Sequence, residues 1–254
     1  MRFLRRSIVS GPGFFALTLA LLFASVTDGT ADPRRFATSF EHVDEFAGFY
    51  IVPQNYMGSA SHDLSDDRVH SGRFAHRAWV TQANPSIRFR NTNHRAYPTI
   101  QLYTLEGGAF RTPVEVIFWV WLDMEIEEGE WFSLATLDHT TSDRWDPVLV
   151  NLSDEGFVHL MHTPTNGRGE RSFQTDSIRF PQRQWVELSI LLHFDRRAGY
   201  AEVRQDGQLV SAAPVRRGNG FLTQAHFGMY APPTITNGVV YNDDLVIVEA
   251  AVEQ

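Results

Sequence analysis

Alternation along Ala225-His-Phe-Gly-Met-Tyr230 sends Phe227 and Met229 to one side and His226, Gly228 and Tyr230 to the other. An imidazole and a phenol on one strand face can stack on a sugar and hydrogen-bond its hydroxyls, and either residue type can move a proton. Three further segments repeat the pattern. In Thr99–Tyr103 the apolar Ile100 and Leu102 point inward, leaving Thr99, Gln101 and Tyr103 together. In Phe157–His162, Val158 and Leu160 point inward, leaving His159 and Met161 outside. In Trp185–His193, Val186, Leu188, Ile190 and Leu192 are core, with Glu187, Ser189 and His193 opposite. Sugars stack their C–H faces on aromatic rings and hydrogen-bond to amides, so a face of Gln, Tyr and His suits a glycan groove. Each residue also has a plainer reading. His159 and His193 fit ordinary half-exposed strand positions, and Trp119 with Trp121 fit packing between layers.

The elements that must position these groups are strands. Helical periodicity is nearly absent, and about ten short alternating runs are punctuated by Gly, Pro, Asn and Asp. Val114–Leu122 has bulk on both faces, as the centre of a sandwich requires. Gln205-Asp-Gly-Gln208 reads as a hairpin turn. The pattern predicts an all-β chain folded as a two-sheet antiparallel sandwich or jelly roll. The polar loops 53–67, 140–146, 163–176 and 231–238 are candidates for its binding rim.

Composition narrows the function classes. Met1–Ala31 reads as a signal peptide: Arg2, Arg5 and Arg6 precede an apolar stretch from Phe14 to Val26, and Gly29-Thr-Ala31 ends in small residues. That stretch is about 13 residues, short of the roughly 20 that span a bilayer. The expectation is a secreted or periplasmic protein with one domain over 32–254 and no membrane association after cleavage. The sequence has no Cys, so the fold holds itself by packing. It has no Lys either; every side-chain cation other than His is Arg, and net charge is −8. Loss of the leader removes three arginines and one aspartate, deepening this to about −10. Such a balance gives no general attraction to nucleic acid or acidic membranes. An anionic ligand must be held by local arginines, which pair with carboxylates in bidentate fashion.

Phe40-Glu41, Val69-His-Ser-Gly72, Arg95-Ala-Tyr-Pro-Thr-Ile-Gln-Leu102, His226-x-Gly228-x-Tyr230 and Asn242-Asp-Asp-Leu-Val-Ile247 together resemble the concanavalin A-like jelly-roll polysaccharide lyases, the alginate, glucuronan and heparin lyase I group. The resemblance runs over most of residues 36–250. His226-x-Gly228-x-Tyr230 is similar to the Lys-x-Gly-x-Tyr motif of alginate lyases, with His in place of Lys. Leu137-Asp-His139 stands where Gln-Ile-His is expected, and only the His matches. Arg88, Arg90, Arg95 and Gln101 occupy the region of the Arg-rich strand motif without its Glu-Leu-Arg ending.

The resemblance implies β-elimination on a uronate-containing polysaccharide. That chemistry needs a neutralised carboxylate, a base on C5–H and an acid on the leaving oxygen. The implied catalytic set is Tyr230 as acid and base, His139 as alternative base, and Gln101 with Arg95 on the carboxylate. Tyr103, His226, His159, Arg90 and Trp121 would line the substrate. A structural calcium, common in such domains, would fall to Glu41 and Asp244, with Asp243 as alternate. The expected state is a monomer. Two rivals share the fold: a non-catalytic carbohydrate-binding module and a glycoside hydrolase. The hydrolase would need paired carboxylates, and Asp123-Met-Glu-Ile-Glu-Glu-Gly-Glu130 reads as an exposed acidic turn. A purely structural protein would have no groove at all. The lyase set requires Gln101, His139 and Tyr230 to converge on one wet concave surface.

Overall fold

Residues Val114–Met124 show how the pattern becomes architecture. Val114, Val116, Phe118, Val120, Leu122 and Met124 are buried, while Glu115, Ile117, Trp119 and Asp123 alternate with them on the other face. The computed structural model describes residues 32–42, 56–57, 60–81, 93–140, 146–163, 168–174, 178–215 and 218–250. Contacts partition the chain into Met1–Asp32 and Pro33–Gln254, and every described strand belongs to the second unit. The signal-peptide expectation lies outside the described residues. Among these, no helix is long and apolar enough to cross a membrane.

The strands are, in order, β1 (Arg35–Thr38), β2 (Tyr56–Met57), β3 (Ala60–Ser65), β4 (Ala75–Val80), β5 (His94–Ala96), β6 (Thr99–Ile100) and β7 (Phe110–Arg111). The central set is β8 (Val114–Met124), β9 (Trp131–Asp138), β10 (Val148–Ser153), β11 (Val158–His162), β12 (Glu170–Ser172) and β13 (Trp185–His193). The last are β14 (Tyr200–Gln205), β15 (Gln208–Pro214), β16 (Phe221–Leu222), β17 (Gln224–Phe227), β18 (Met229–Ala231) and β19 (Gly238–Glu249). They form an eight-stranded sheet, β15-β14-β13-β8-β19-β4-β3 with β1 beside β19, and a six-stranded sheet, β12-β11-β10-β9-β17-β6. Two smaller sheets, β16-β7 and β18-β5-β2, sit alongside, and every pairing among the described strands is antiparallel.

The two large sheets press their apolar faces together. Phe118 of β8 meets Phe227 of β17 edge-to-face, with centroids 4.9 Å apart. Each such buried ring contributes about 1.5–3 kcal/mol, and one continuous cluster of such residues fills the interlayer. This is the expected all-β jelly roll. The Gln205–Gln208 hairpin forms as read, with Asp206 and Gly207 both at positive φ (48° and 80°), the two-residue turn that suits a right-handed strand twist.

Two strand expectations fail in detail. The run from Thr99 stops at Ile100 and turns into a 3₁₀ segment, Leu102–Thr104. The N–H and hydroxyl of Thr104 both bond the Gln101 carbonyl (2.9 and 2.8 Å), which curls the chain out of the sheet. The segment 225–230 is likewise two strands, β17 and β18, broken at Gly228.

Candidate functional site

The outward face of the six-stranded sheet gathers the polar residues. Register places His159 of β11 opposite Asn151 of β10, and Asn151 opposite Ser133 of β9. Pairing then shifts, Val150 facing Ala135, so that Leu134 is an extra residue. That bulge turns both Ser133 and Thr136 outward, with their hydroxyls 3.4 Å apart. Thr136 faces His226 of β17, which faces Thr99 of β6.

Gly228 shapes the next step. Its φ is 119°, and a Cβ there would lie 2.7 Å from His76 Cε1 and 2.9 Å from the Ala96 carbonyl. Only glycine permits this approach. The break carries the chain from the six-stranded sheet onto β18, where Tyr230 pairs with Arg95 of β5. Four aromatic groups then meet. Tyr97 stacks on His226 at 4.9 Å and meets Tyr230 edge-on at 6.1 Å. Trp131 meets Tyr230 at 5.1 Å. The Arg95 guanidinium lies 5.5 Å from the Tyr230 ring centre. Asn93 Nδ2 donates to Tyr230 Oη at 3.4 Å, which leaves the phenol's own proton free to point at a ligand.

These groups close on one another: Tyr97, Ser133, Thr136, His226 and Gly228, with Phe227 beneath, are buried, Tyr230 at the rim is half-buried, and the crevice they line is too tight for a water molecule until the rings part. Its electrostatics follow from burial. His226 is held down at about 3, first by desolvation and then by Arg95, so it is a neutral imidazole at neutral pH. Tyr97 is pushed up to about 12 by burial, with Arg95 opposing and Tyr230 adding to the rise, and it stays a phenol.

Not every expected residue joins this group. Tyr230, Arg95 and His226 come together, and His159 shares their sheet face. His159 is nonetheless fully buried under Phe173 (4.5 Å), and burial lowers its pKa to about 4. Gln101 precedes the 3₁₀ turn and is not on a strand face, and Tyr103 is 38% exposed on that turn. His139 lies beyond the end of β9 with its ring on Phe194 at 4.9 Å. Eight residues of extended chain, about 26 Å, separate it from Trp131 at the Tyr230 end. It is not the base for Tyr230, and the expected convergence of Gln101, His139 and Tyr230 is corrected accordingly. Trp121 is 5% exposed on the far face of the eight-stranded sheet, edge-on to Tyr241 (5.5 Å) and covered by Arg68 (4.2 Å); it packs there and is not in the crevice. Arg90 lies outside the described residues.

Glu41 and Asp244 clamp the loop between β3 and β4. Glu41 accepts the Arg73 N–H (2.9 and 3.1 Å), while Asp244 meets His70 Nδ1 and Ser71 Oγ, each at 2.6 Å. Asp243 accepts the N–H groups of His70 and Ser71, and burial raises its pKa to about 6. These oxygens are engaged by protein donors, and among the described residues no group of three or more His, Cys, Asp or Glu converges as a metal shell would.

Sequence reasoning missed Asn93, Tyr97, Trp131, Ser133 and Thr136. Tyr97 was reachable, two residues beyond Arg95 in the Arg95-Ala-Tyr-Pro block. Ser133 and Thr136 were not, because a bulge breaks the alternation that would have paired them.

The fold is a concanavalin A-like jelly roll with an aromatic, His- and Arg-bearing cluster on one sheet face. No family model and no curated protein sequence matches the chain. Its structure is similar to the endo-β-1,4-glucuronan lyase of the fungus Trichoderma reesei, with TM-score 0.58 and 12% identity over 85% of this chain and 95% of that one. It is similar to the cellulose induced protein Cip1 (TM-score 0.62, 12% identity, 85% and 98%). The alginate lyase Aly36B gives TM-score 0.52 and 12% identity over 88% of this chain and 100% of that one.

Proposed function

We propose that the protein is a secreted or periplasmic, monomeric lyase that cleaves a uronate-containing polysaccharide by β-elimination. The observation that carries this is the meeting of Arg95, Tyr97, His226 and Tyr230 at one crevice. Arg95 binds the uronate carboxylate and Tyr97, a phenol across the working range, donates a second hydrogen bond to it. With that charge held, C5–H becomes acidic. His226, neutral and beside Arg95, takes the C5 proton; burial is the larger cause of its depressed pKa, and the bound carboxylate offsets the smaller one, Arg95, and stabilises the imidazolium as it forms. The C5 electron pair forms the C4–C5 double bond, the C4–O bond breaks, and Tyr230 protonates the leaving oxygen. The His226 proton then returns to the Tyr230 phenolate, directly or through water. Tyr230→Phe should abolish products with unsaturated ends absorbing in the near ultraviolet, on any glycan of a uronate panel that the wild type cleaves. Undiminished activity would remove Tyr230 from the mechanism.

One observation favours a second reading, a carbohydrate-binding module. The described hydrogen bond to Tyr230 Oη comes from an amide, Asn93, which holds a ligand site as readily as a catalytic one. Retention on a glycan column with neither double bonds nor new reducing ends would select it. A hydrolase is disfavoured: among the described residues no carboxylate lines the crevice, and hydrolysis needs two. Calcium at Glu41 and Asp244 enters this proposal in one form, an ion that displaces the loop donors. A melting temperature unmoved by chelator would exclude it.

A further inference from the structure

The far face of the eight-stranded sheet carries an open cleft of about 410 Å³ where β4 and β8 end and β19 begins. That volume lies within the roughly 300–1,000 Å³ typical of small-ligand sites. Register builds it. Trp79 of β4 faces Val239 of β19, and Val239 faces Asp123 of β8. A large ring and a carboxylate thus stand two strand spacings apart, roughly 10 Å, with a modest side chain between them. The Arg77 guanidinium lies 4.7 Å from the Trp79 ring centre and pairs with Asp67 at 3.1 Å. Arg183 bonds Asp123 at 3.0 Å on the opposite wall.

That wall is fixed before any ligand arrives. The Gln182 amide bonds both the N–H and the C=O of Met124, each at 3.0 Å, as a neighbouring strand would. The Arg183 N–H bonds the Leu122 carbonyl at 2.8 Å, and Arg183 holds a φ of 64°, which a long side chain seldom adopts. Glu125 and Asn237 complete the polar lining. Arg77 Nε is buried without a hydrogen-bond partner among the described residues.

Two arginines and two carboxylates leave the lining with no net formal charge. An anion meets Asp123 and Glu125, and a cation meets the arginines. A neutral, hydroxyl-rich ring satisfies both, because each hydroxyl donates and accepts, and its C–H face can lie on Trp79. We propose that this cleft is a second, non-catalytic site for a neutral sugar chain, on the opposite sheet from the Tyr230 crevice and independent of the lyase reading.

The test is calorimetric titration of the mature protein with a β-1,4-linked glucose hexamer and, separately, an oligouronate of equal length. The expected result is hexamer binding with Kd of about 1 mM or tighter, at least about tenfold weaker in Trp79→Ala and unchanged in Tyr230→Phe. If the lyase reading holds, oligouronate binding responds in the opposite way; its absence counts against that reading and not against the cleft. Arg183→Ala, exposed enough to spare the fold, should also weaken the hexamer and decides the matter if Trp79→Ala fails to fold. No heat from the hexamer at 10 mM, on the order of ten times that Kd, overturns the proposal. So does hexamer binding that Tyr230→Phe removes or that both cleft variants leave intact.

Discussion

The outward faces of the two large sheets receive similar residues and use them differently. On the six-stranded sheet, His226, Thr136 and Ser133 border a crevice finished by Tyr97 and Tyr230, with Arg95 against the Tyr230 ring. On the eight-stranded sheet, Trp185, Trp121 and Tyr241 form a row across β13, β8 and β19. There the β3–β4 loop closes over the rings, with His70 stacked on Trp119 at 3.8 Å and Arg68 over Trp121. A sheet face rich in rings is therefore not a binding face by composition alone. Here the rings lie beneath a loop that Glu41, Asp243 and Asp244 fasten, whereas Tyr97 and His226 bury one another by stacking and leave Tyr230 half-exposed at the rim.

The contrast can be broken first at the crevice. Tyr230→Phe and His226→Gln should each lower the elimination rate by about 10²–10⁴-fold, the range for losing a positioned acid or base, while Trp121→Phe leaves it within about twofold. Rates under initial-velocity conditions check this, and equal losses in all three would erase the distinction. Next comes the join between the sheets. Gly228→Ala forces a Cβ against His76 and the Ala96 carbonyl at positive φ, so about 2–4 kcal/mol of stability should go, read as a lower urea midpoint. A change under half a kcal/mol would mean that β17 and β18 can slide apart freely.

Acid sharpens the comparison further. Burial depresses His62 and His159 to about 4, His226 to about 3, and His76 well below 6.5. The unfolded chain, with histidines near 6.5, takes up protons first as pH falls. This stabilisation is whole above about pH 6.5 and drains toward pH 4, by at most about 1.4 kcal/mol per pH unit for each such group. Asp243, raised to about 6, and Asp138, also raised by burial, act in the other sense, but they are two groups against six, since burial lowers His94 and His162 as well. Melting temperature should fall clearly between pH 7 and 5; a flat profile would contradict the buried neutral histidines. The smallest expected effect is on the covered face: Arg68→Ala should lower stability by about 0.5–1 kcal/mol through its lost ring contact, with catalysis unaltered.

Strand alternation made much of this legible. The central strand over Val114–Leu122 and the core of Trp185–His193 followed from period two, and the Asp206-Gly207 turn from turn chemistry; His226 and Tyr230 do meet, but through Tyr97 across a strand break and not on one continuous strand face. The failures share a cause. Periodicity fixes a face only while the ladder continues, and it stopped at Ile100, at Gly228 and at the Leu134 bulge. Gln101 and Tyr103 were lost to the first break, while the third brought in Ser133 and Thr136. His139 was misplaced for another reason: a single matching residue in a motif says nothing of where its strand ends. Trp121 went wrong because the loop that covers it comes from a distant stretch of chain.

Strand β19 lies between β8 and β4 and also pairs with β1, so three other strands of the large sheet are joined through it. Yet it is the last of the described strands to leave the ribosome. Until residues 238–249 are made, β8 and β4 each present a bare edge, and β1 has no partner. The sheet cannot close before then, and it closes through pairings of long sequence separation, which slows folding and leaves the nascent chain open to edge-to-edge association.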